Sequence, residues 1–298
     1  MLATKYRPSQ FSDVVGQDVC IKILEKQVAE NSYSHAILFA GNAGCGKTTC
    51  AKIFAKQIDG EIFEIDCASH NGVDDIKELI NESKIKPLVY SYKVFILDEC
   101  QTLSPQAWAS MLITLEENLP TSIFLFCTTD PQKIPNTIMS RVQRFNFIPI
   151  TENDMLNRIK QICFTENIII EDEALKYIIH SSNGNLRQAL TSLDKCILFG
   201  DLSVKGVCKA LNIVTYDVCD SVYTAYIQHN TIELIKLVED VYNNGYELHS
   251  FVRQLLDYAI SKQNLPMIEC LLTSLQEIRY DDCPKNLIIA RLIIQKGE

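Results

Sequence analysis

Hydrophobic and polar positions divide the 298-residue chain into two parts with different periods. From residue 36 to residue 150, short apolar runs alternate with stretches of helical spacing. The predicted strands are 36–40, 61–66, 93–98 and 122–129, and the clearest helices between them are 47–58 and 104–118. Near-continuous apolar strands that alternate with helices are typical of a parallel sheet covered on both faces. This part is therefore predicted to be a doubly wound α/β domain.

After Pro149 the apolar positions recur at helical spacing only. The predicted helices here are 151–168, 171–182, 185–200, 231–242, 248–260, 266–278 and 286–295, with a turn at Asn183-Gly184. The change of period gives three expected domains: an α/β domain over 1–149, a small helical domain over 150–208 and a second helical domain over 209–298.

Composition and charge narrow the class of protein. With 47% hydrophobic residues the chain is not mainly disordered, and 28 Lys+Arg against 37 Asp+Glu exclude a protein that coats DNA by bulk positive charge. The twelve cysteines are scattered without a CxxC pair, so most are expected to be buried, reduced core residues. Because the N-terminus lacks a signal-like apolar segment and no uncharged apolar run approaches 18 residues, we expect a cytoplasmic protein without a membrane partner.

The strongest chemical signal is a complete GxxxxGK[ST] motif between the first predicted strand and the helix that follows it. Backbone N–H groups of such a loop cradle nucleotide phosphates, Lys47 adds a positive charge at the β- and γ-phosphates, and the Thr48 hydroxyl ligates Mg²⁺. The alternative is a glycine-rich turn without a ligand, which the strand–loop–helix context disfavours. The predicted ATP contacts are Gly41, Asn42, Ala43, Gly44, Cys45, Gly46, Lys47, Thr48 and Thr49.

A second signal is the apolar run that ends in Asp98 and Glu99. An acid at the carboxyl end of such a strand can face the phosphate loop and bind Mg²⁺, and the next carboxylate can polarise the attacking water. From spacing alone, Thr129 is equally well read as a hydroxyl near the γ-phosphate or as a β-branched residue that closes a strand. Arg141 and Arg144 are equally ambiguous between phosphate contacts and solvated surface charges.

Seven segments, in order along the chain, resemble the ATPase subunits of DNA sliding-clamp loaders in the AAA+ class, most closely the gamma/tau subunits of bacterial DNA polymerase III. They are KYRPSQFSDVVGQ, GNAGCGKTT, FEIDCASHNGVDDI, VFILDECQTLS, LITLEE, CTTDPQKIPNTIMSR and GNLRQALTSLD, and they span residues 5 to about 195. The resemblance implies an AAA+ ATPase domain, a helical lid and a helical collar that holds subunits in a ring.

The resemblance also assigns roles to matching positions. Thr129 corresponds to the sensor of the γ-phosphate, and Arg187, beside Leu186 in GNLRQAL, corresponds to the lid arginine that reaches the phosphates. Arg141 corresponds to an arginine finger that acts on ATP held by the neighbouring subunit. The residues that match the adenine and ribose side of the site are Tyr6, Arg7, Pro8 and Val15.

Some positions depart from the family pattern. The chain passes from the helix at 47–58 directly to the next strand, without room for the four-cysteine zinc module of cellular gamma/tau subunits, so we predict no zinc. Ser140-Arg141-Val142 replaces the usual Ser-Arg-Cys, and Gln101 replaces the usual histidine after the two acids. This compact form suits a bacteriophage-encoded protein, which would act in the host cytoplasm.

The implied function is that of an ATP-hydrolysing subunit in a homo- or hetero-pentamer that opens a sliding clamp and loads it on primer–template DNA. DNA contacts are expected near Thr102 to Gln106, at a helix start. The apolar stripes Ile232/Ile235/Val238 and Leu248/Phe251/Leu255 either join the collar or fill their own core. Two alternatives remain: a catalytically silent scaffold subunit of the same ring, or an AAA+ remodeller outside replication.

Overall fold

The computed structural model describes residues 1–117, 119–277 and 284–294. Asn118, Ile278 and Gln295 of the predicted helices, and Cys283, lie outside this part. The chain forms two compact units. The first comprises Met1–Ile168 with Ile179–Thr191, and the second comprises Ile169–Ile178 with Ser192–Glu298.

A five-stranded sheet lies in the first unit, with the order β2-β3-β4-β1-β5. Its strands are β1 (Ala36–Ala40), β2 (Gly60–Asp66), β3 (Tyr92–Asp98), β4 (Ser122–Thr128) and β5 (Gln143–Asn146). Every neighbouring pair is parallel. The four predicted strands and the parallel sheet are confirmed. β5 was not predicted; it is a polar four-residue edge strand in which only Phe145 is buried.

The helices of the α/β region are α1 (Leu2–Lys5), α2 (Asp18–Ala29), α3 (Lys47–Gln57), α4 (Val73–Ser83), α5 (Pro105–Glu116) and α6 (Asn136–Met139). Those that follow are α7 (Glu152–Glu166), α8 (Asp172–Ser181), α9 (Leu186–Phe199), α10 (Val204–Leu211), α11 (Tyr216–Ile227), α12 (Thr231–Asn243), α13 (Leu248–Ser261), α14 (Leu265–Glu277) and α15 (Pro284–Ile294). Each predicted helix is present within two residues at its described ends. Side-chain caps fix the first residues of several helices. The Ser104 hydroxyl accepts a hydrogen bond from the Ala107 N–H at the start of α5, and the Thr151 hydroxyl accepts one from the Asp154 N–H at the start of α7.

Successive strand residues point to opposite faces of the sheet, and each face has its own apolar core. On one face Phe39 and Ile96 pack with Leu24 of α2 and Phe54 of α3. On the other face the neighbouring strand residues pack with α4 and α5, through side chains that include Leu38, Phe95, Ile76, Trp108 and Met111. Burial on both faces explains why these strands read as nearly continuous apolar runs. The carboxyl ends of β1, β3 and β4 consequently lie side by side.

The second unit has a separate core made by α11 to α15. Val238, Leu248, Phe251 and Leu255 from the two predicted stripes are buried in it. Ile232, in contrast, is 82% exposed. Most of the stripe residues therefore fill the core of this unit, and a collar role for the rest stays a prediction.

The described cysteines are all buried free thiols, as expected. Burial raises the pKa of Cys50 and Cys67 to about 12 each. Within the described residues no group of three or more His, Cys, Asp or Glu side chains is arranged to hold a metal ion, and the absence of zinc stays a prediction. No helix in the described ranges is long and apolar enough to cross a membrane.

Candidate nucleotide-binding site

The loop between β1 and α3 has a backbone that requires glycine at two positions. A Cβ atom on Gly41 would lie 2.3 Å from the Phe147 carbonyl oxygen, because the chain leaving β5 runs beside the loop. Gly44 has a φ of +71°, and its Cβ atom would lie 1.8 Å from Asn185 Oδ1. Alanine at Gly41 or Gly44 would have to displace Phe147 or Asn185, respectively, or change the conformation of the loop.

Lys47 is the first residue of α3, and its side chain turns back over the loop. The ammonium Nζ donates hydrogen bonds to the carbonyl oxygens of Gly41, at 2.9 Å, and Asn42, at 2.8 Å. The residue is only 6% exposed. A buried ammonium beside the first N–H groups of a helix makes this loop strongly attractive to anions such as phosphate.

Thr48 and Asp98 bring two hard oxygen ligands together, although they are 50 residues apart in the chain. The Thr48 hydroxyl donates to Asp98 Oδ2 at 2.8 Å. Asp98 ends β3 and Thr48 lies in the first turn of α3, so the contact joins the sheet edge to the phosphate loop. Carboxylate and hydroxyl oxygens suit Mg²⁺, which is usually held by one or two such groups together with substrate phosphates. The residues present therefore fit a magnesium ion bound with a nucleotide.

Glu99 and Thr129 meet through hydrogen bonds at the ends of β3 and β4. The Thr129 hydroxyl donates to Glu99 Oε2 at 3.1 Å, and Gln101 Nε2 donates to the same oxygen at 2.6 Å. The backbone of Glu99 is left-handed, with a φ of 50°, which non-glycine residues rarely adopt. The strand predicted to carry Thr129 does lie beside the strand that carries Asp98.

Lys47, Thr48, Asp98 and Glu99 border a cavity of about 530 Å³ within the first unit, whereas Thr129 and Gln101 do not line it. The predicted site residues that line it are Tyr6, Arg7, Pro8, Val15, Ala43, Gly44, Cys45, Gly46, Lys47, Thr48, Thr49, Asp98, Glu99, Leu186 and Arg187. Gly41 and Asn42 belong to the loop itself, and their carbonyl oxygens accept hydrogen bonds from Lys47. The cavity is also lined by four residues that were not predicted: Thr4, Ile150, Leu190 and Thr191.

The N-terminal segment is fixed beside the cavity by Glu166, the last residue of α7. Lys5 forms an ion pair with the Glu166 carboxylate, and the Tyr6 hydroxyl donates to it. The bonds from Lys5 and then Tyr6 lower the pKa of Glu166, and the bond to Glu166 raises the pKa of Tyr6. Arg7 Nε also donates to Thr49 Oγ1, at 3.2 Å. No sequence motif marks Glu166, because its partners are 160 residues away.

A Glu166→Gln variant tests this anchor. Because the lysine and glutamate side chains are partly exposed, their ion pair is weak, so the Kd for ATP should rise by no more than about fivefold. Because the pKa of Glu166 is lowered in the folded protein, its ionised carboxylate stabilises the fold above about pH 4.3, the pKa of glutamate in the unfolded chain. This stabilisation is lost as the pH falls through the pKa of the folded protein. Because the pKa of Tyr6 is raised in the folded protein, its protonated hydroxyl stabilises the fold below about pH 10. This stabilisation is lost as the pH rises through the pKa of Tyr6 in the folded protein.

Fluorescent-nucleotide titrations between pH 5.5 and pH 8.5 should therefore give a constant ratio of Kd values for the variant and the unaltered protein. Glu78→Gln, an exposed carboxylate on α4, is the matched control. A ratio that changes severalfold across this range would contradict the anchor.

The two arginines that follow α6 lie away from the cavity lining. Arg141 pairs with Glu116 at the end of α5, and its guanidinium also donates to the Thr137 carbonyl oxygen at 2.7 Å. Arg144 Nε donates to Asn146 Oδ1 at 2.7 Å on β5. Within its own chain, Arg141 is thus held on a surface of the α/β domain by a carboxylate, a carbonyl and the Ser140 hydroxyl, to which its guanidinium donates at 3.2 Å.

A family model and the relatives that match this chain both point to subunits of DNA polymerase III. A model described as "DNA polymerase III, delta subunit" matches residues 59–151, and one described as "RCF1/5-like, AAA+ ATPase lid domain" matches residues 157–198. The gamma/tau subunit of DNA polymerase III from Mycoplasma genitalium is 36% identical over 86% of this chain and 48% of its own length. The gamma subunit from Buchnera aphidicola is 30% identical over 90% of this chain and 80% of its own length. The chain belongs to the DNA polymerase III gamma/tau family.

Members of the gamma/tau family differ in length, and this chain spans about half the length of the Mycoplasma genitalium subunit. Among solved structures, the Thermotoga maritima RuvB Holliday junction branch migration motor superposes with a TM-score of 0.59, covering 76% of this chain and 80% of RuvB. At 20% identity the likeness concerns the fold alone. The gamma/tau chain thus has an AAA+ fold: a parallel sheet between helices, followed by a lid domain and further helices.

Proposed function

We propose that this protein binds ATP with Mg²⁺ in the cavity beside the phosphate loop and hydrolyses it. The observation that carries the proposal is the meeting of Lys47, Thr48, Asp98 and Glu99 at one point of the sheet edge, in a chain of the gamma/tau family. Lys47 and the loop would hold the β- and γ-phosphates, while Tyr6, Arg7, Pro8 and Val15 would border the nucleoside.

In this proposal the described groups divide the chemistry. Thr48 and Asp98 would hold Mg²⁺, which neutralises charge on the phosphate oxygens when it is bound. Glu99 would accept a proton from the attacking water, and Thr129 would sense the γ-phosphate. Arg187, which borders the cavity from α9, would neutralise charge that develops on the phosphates.

We further propose that the protein works as a subunit of a pentameric clamp loader, which uses ATP to open a sliding clamp and load it on primer–template DNA. Membership of the gamma/tau family supports this role, and the RuvB likeness does not favour a remodeller because it concerns the fold alone. The intact set of catalytic side chains disfavours a silent scaffold subunit.

For DNA contact we propose the start of α5, within the expected range of Thr102 to Gln106. Gln106 is exposed there, but the Thr102 hydroxyl donates to the carbonyl oxygens of Cys67, at 2.6 Å, and Glu99, at 2.8 Å. Thr102 therefore serves the local turn. The helix start itself supplies N–H groups that can hold a phosphate without reading a base.

The deciding experiment measures ATP turnover with the cognate clamp and primed DNA. We expect both additions together to raise the rate at least tenfold, because assembly on DNA completes the sites between subunits. Unprimed duplex DNA with the same clamp is the matched control and should stimulate much less. An equal rate with and without clamp and primed DNA would contradict the clamp-loader role, although ATP hydrolysis itself would stand.

A further inference from the structure

Gln101 occupies the centre of the hydrogen-bond network at the ends of β3 and β4. Its Nε2 donates to Glu99 Oε2 at 2.6 Å and lies 3.0 Å from Thr129 Oγ1, to which it also donates. Its Oε1 accepts from the Thr128 hydroxyl at 2.7 Å and from the Thr129 N–H at 3.4 Å. The side-chain amide has two N–H donors and two acceptor lone pairs, so all four positions are used.

The network allows only one orientation of the Gln101 amide. An ionised carboxylate can only accept, so the NH₂ group must face Glu99. On the opposite side, the Thr128 hydroxyl accepts from the Asp130 N–H at 3.0 Å and therefore directs its own hydrogen towards Gln101 Oε1. The amide is thus held in one orientation from both sides.

The backbone of Gln101 is held equally well. Cys100, the residue before it, is completely buried, and the Thr102 hydroxyl after it bonds to two carbonyl oxygens. Glu99, with its left-handed backbone, begins this short turn. The turn therefore aims Gln101 at Glu99 and Thr129 independently of the side-chain bonds.

One consequence is that the two carboxylate oxygens of Glu99 are no longer equivalent. Oε2 accepts from both Gln101 and Thr129. Oε1 accepts no hydrogen bond from the described residues, and so remains available to a water molecule. Gln101 consequently fixes the rotation of the carboxylate that would take the proton in hydrolysis.

We infer that Gln101 is a positioning residue for ATP hydrolysis: its amide links Glu99 to Thr129, so that the carboxylate is aligned only when the threonine is in place. The inference rests on the proposed function, since it concerns the same site. Gln101 acts on the rate of the chemical step, and it contributes little to ATP binding because it does not line the cavity. Misplacement of a catalytic group by about 1 Å can reduce the rate about a hundredfold.

Three variants separate the two halves of the amide. Gln101→Met keeps the approximate volume of the side chain and removes every hydrogen bond that it makes. Gln101→Glu keeps an oxygen that can accept from Thr128, but it replaces the N–H donor with a carboxylate oxygen beside the carboxylate of Glu99. Gln101→His restores one donor. We expect kcat to fall about tenfold to a hundredfold in the Met and Glu variants and to recover in part in the His variant, while the Kd for ATP stays within about twofold.

A mutant cycle with Thr129→Val tests the link itself. If Gln101 acts through Glu99 and Thr129, the combined Gln101→Met and Thr129→Val protein should lose less activity than the product of the two single losses. Gln228→Met, at an exposed glutamine directly after α11 in the second unit, is the matched control. Thermal unfolding of each variant checks that the fold is retained.

The outcomes discriminate clearly. An undiminished kcat in Gln101→Met, a near-normal Gln101→Glu protein, multiplicative losses in the cycle, or parallel changes of kcat and Kd would each overturn the role of Gln101 while leaving the proposed ATPase intact. Failure of the unaltered protein to hydrolyse ATP under the stimulated conditions would contradict the proposed function, and the role of Gln101 with it.

Discussion

Replacing Arg141 with alanine should leave ATP binding unchanged and reduce the stimulated ATPase rate by about 10³-fold, the lower end of what an arginine finger contributes. Arg141 does not line the cavity of its own chain, so its loss should not disturb the nucleotide held there. Its charge would act instead on ATP in the neighbouring subunit. Nucleotide titration and steady-state turnover with clamp and primed DNA measure the two effects separately.

A structural role for the Arg141–Glu116 ion pair predicts a different result. Both side chains are partly exposed, and such pairs contribute about 0–1 kcal/mol, so neither substitution should lower stability much. Glu116→Gln breaks the same pair but keeps the arginine. If Glu116→Gln lost as much turnover as Arg141→Ala, the pair itself would be the important feature and the finger role would be wrong.

A mixing experiment tests whether Arg141 acts in trans. If Glu99 is the base, Glu99→Gln subunits would not take the proton from water but would still offer Arg141, whereas Arg141→Ala subunits would keep Glu99. Mixed rings should therefore be more active than either variant alone, because some Arg141→Ala sites face an intact finger. Mixtures that are no more active than the separate variants would contradict action between subunits.

Replacing Lys47 with alanine should abolish useful ATP binding. Loss of one partner of a buried, hydrogen-bonded charge pair costs about 2–5 kcal/mol, which corresponds to an increase in Kd of about 30-fold to several thousandfold. Hydrolysis would be lost with it at ordinary ATP concentrations. Fluorescent-nucleotide titration measures the change directly.

Lys56→Ala is the matched control, because Lys56 lies on the same helix but is exposed at its far end. It should bind ATP as the unaltered protein does. A Lys47→Ala protein that stays folded and binds ATP with an unchanged Kd would contradict the proposed phosphate site. If Lys47→Ala and Arg141→Ala weakened ATP binding equally, the assignment of Lys47 to ATP binding and of Arg141 to hydrolysis in the neighbouring subunit would be wrong.

The sequence predicted those parts of the structure whose causes are local. The strands β1 to β4 are apolar along their length because both faces of the sheet are buried, and the phosphate-loop motif lies within eight consecutive residues. Asp98 was found because a strand delivers it to the sheet edge. The meeting of Asp98 with Thr48 follows from the parallel arrangement of β1 and β3 in one sheet.

Features that depend on distant partners were not predictable in the same way. β5 is short and polar, and it is a strand only because the edge of β1 offers hydrogen bonds to it. Glu166 meets Tyr6 across 160 residues, and Asn185 approaches Gly44 across the whole α/β region. Gln101 stood out only as a departure from the family pattern, since its four hydrogen bonds go to three residues at two different strand ends.

If Glu99 is the proposed base, a stable fold and catalysis make opposite demands at this residue. A left-handed backbone at a residue other than glycine costs about 1 kcal/mol or more, and asparagine or glycine would adopt it more easily. Neither replacement carries a carboxylate that reaches Thr129. Consensus or computational design for stability would thus favour replacing Glu99 with glycine or asparagine, and the expected cost is a lower rate of ATP turnover. A stabilised form of this protein should keep this strained glutamate and gain its stability in the cores of the two units.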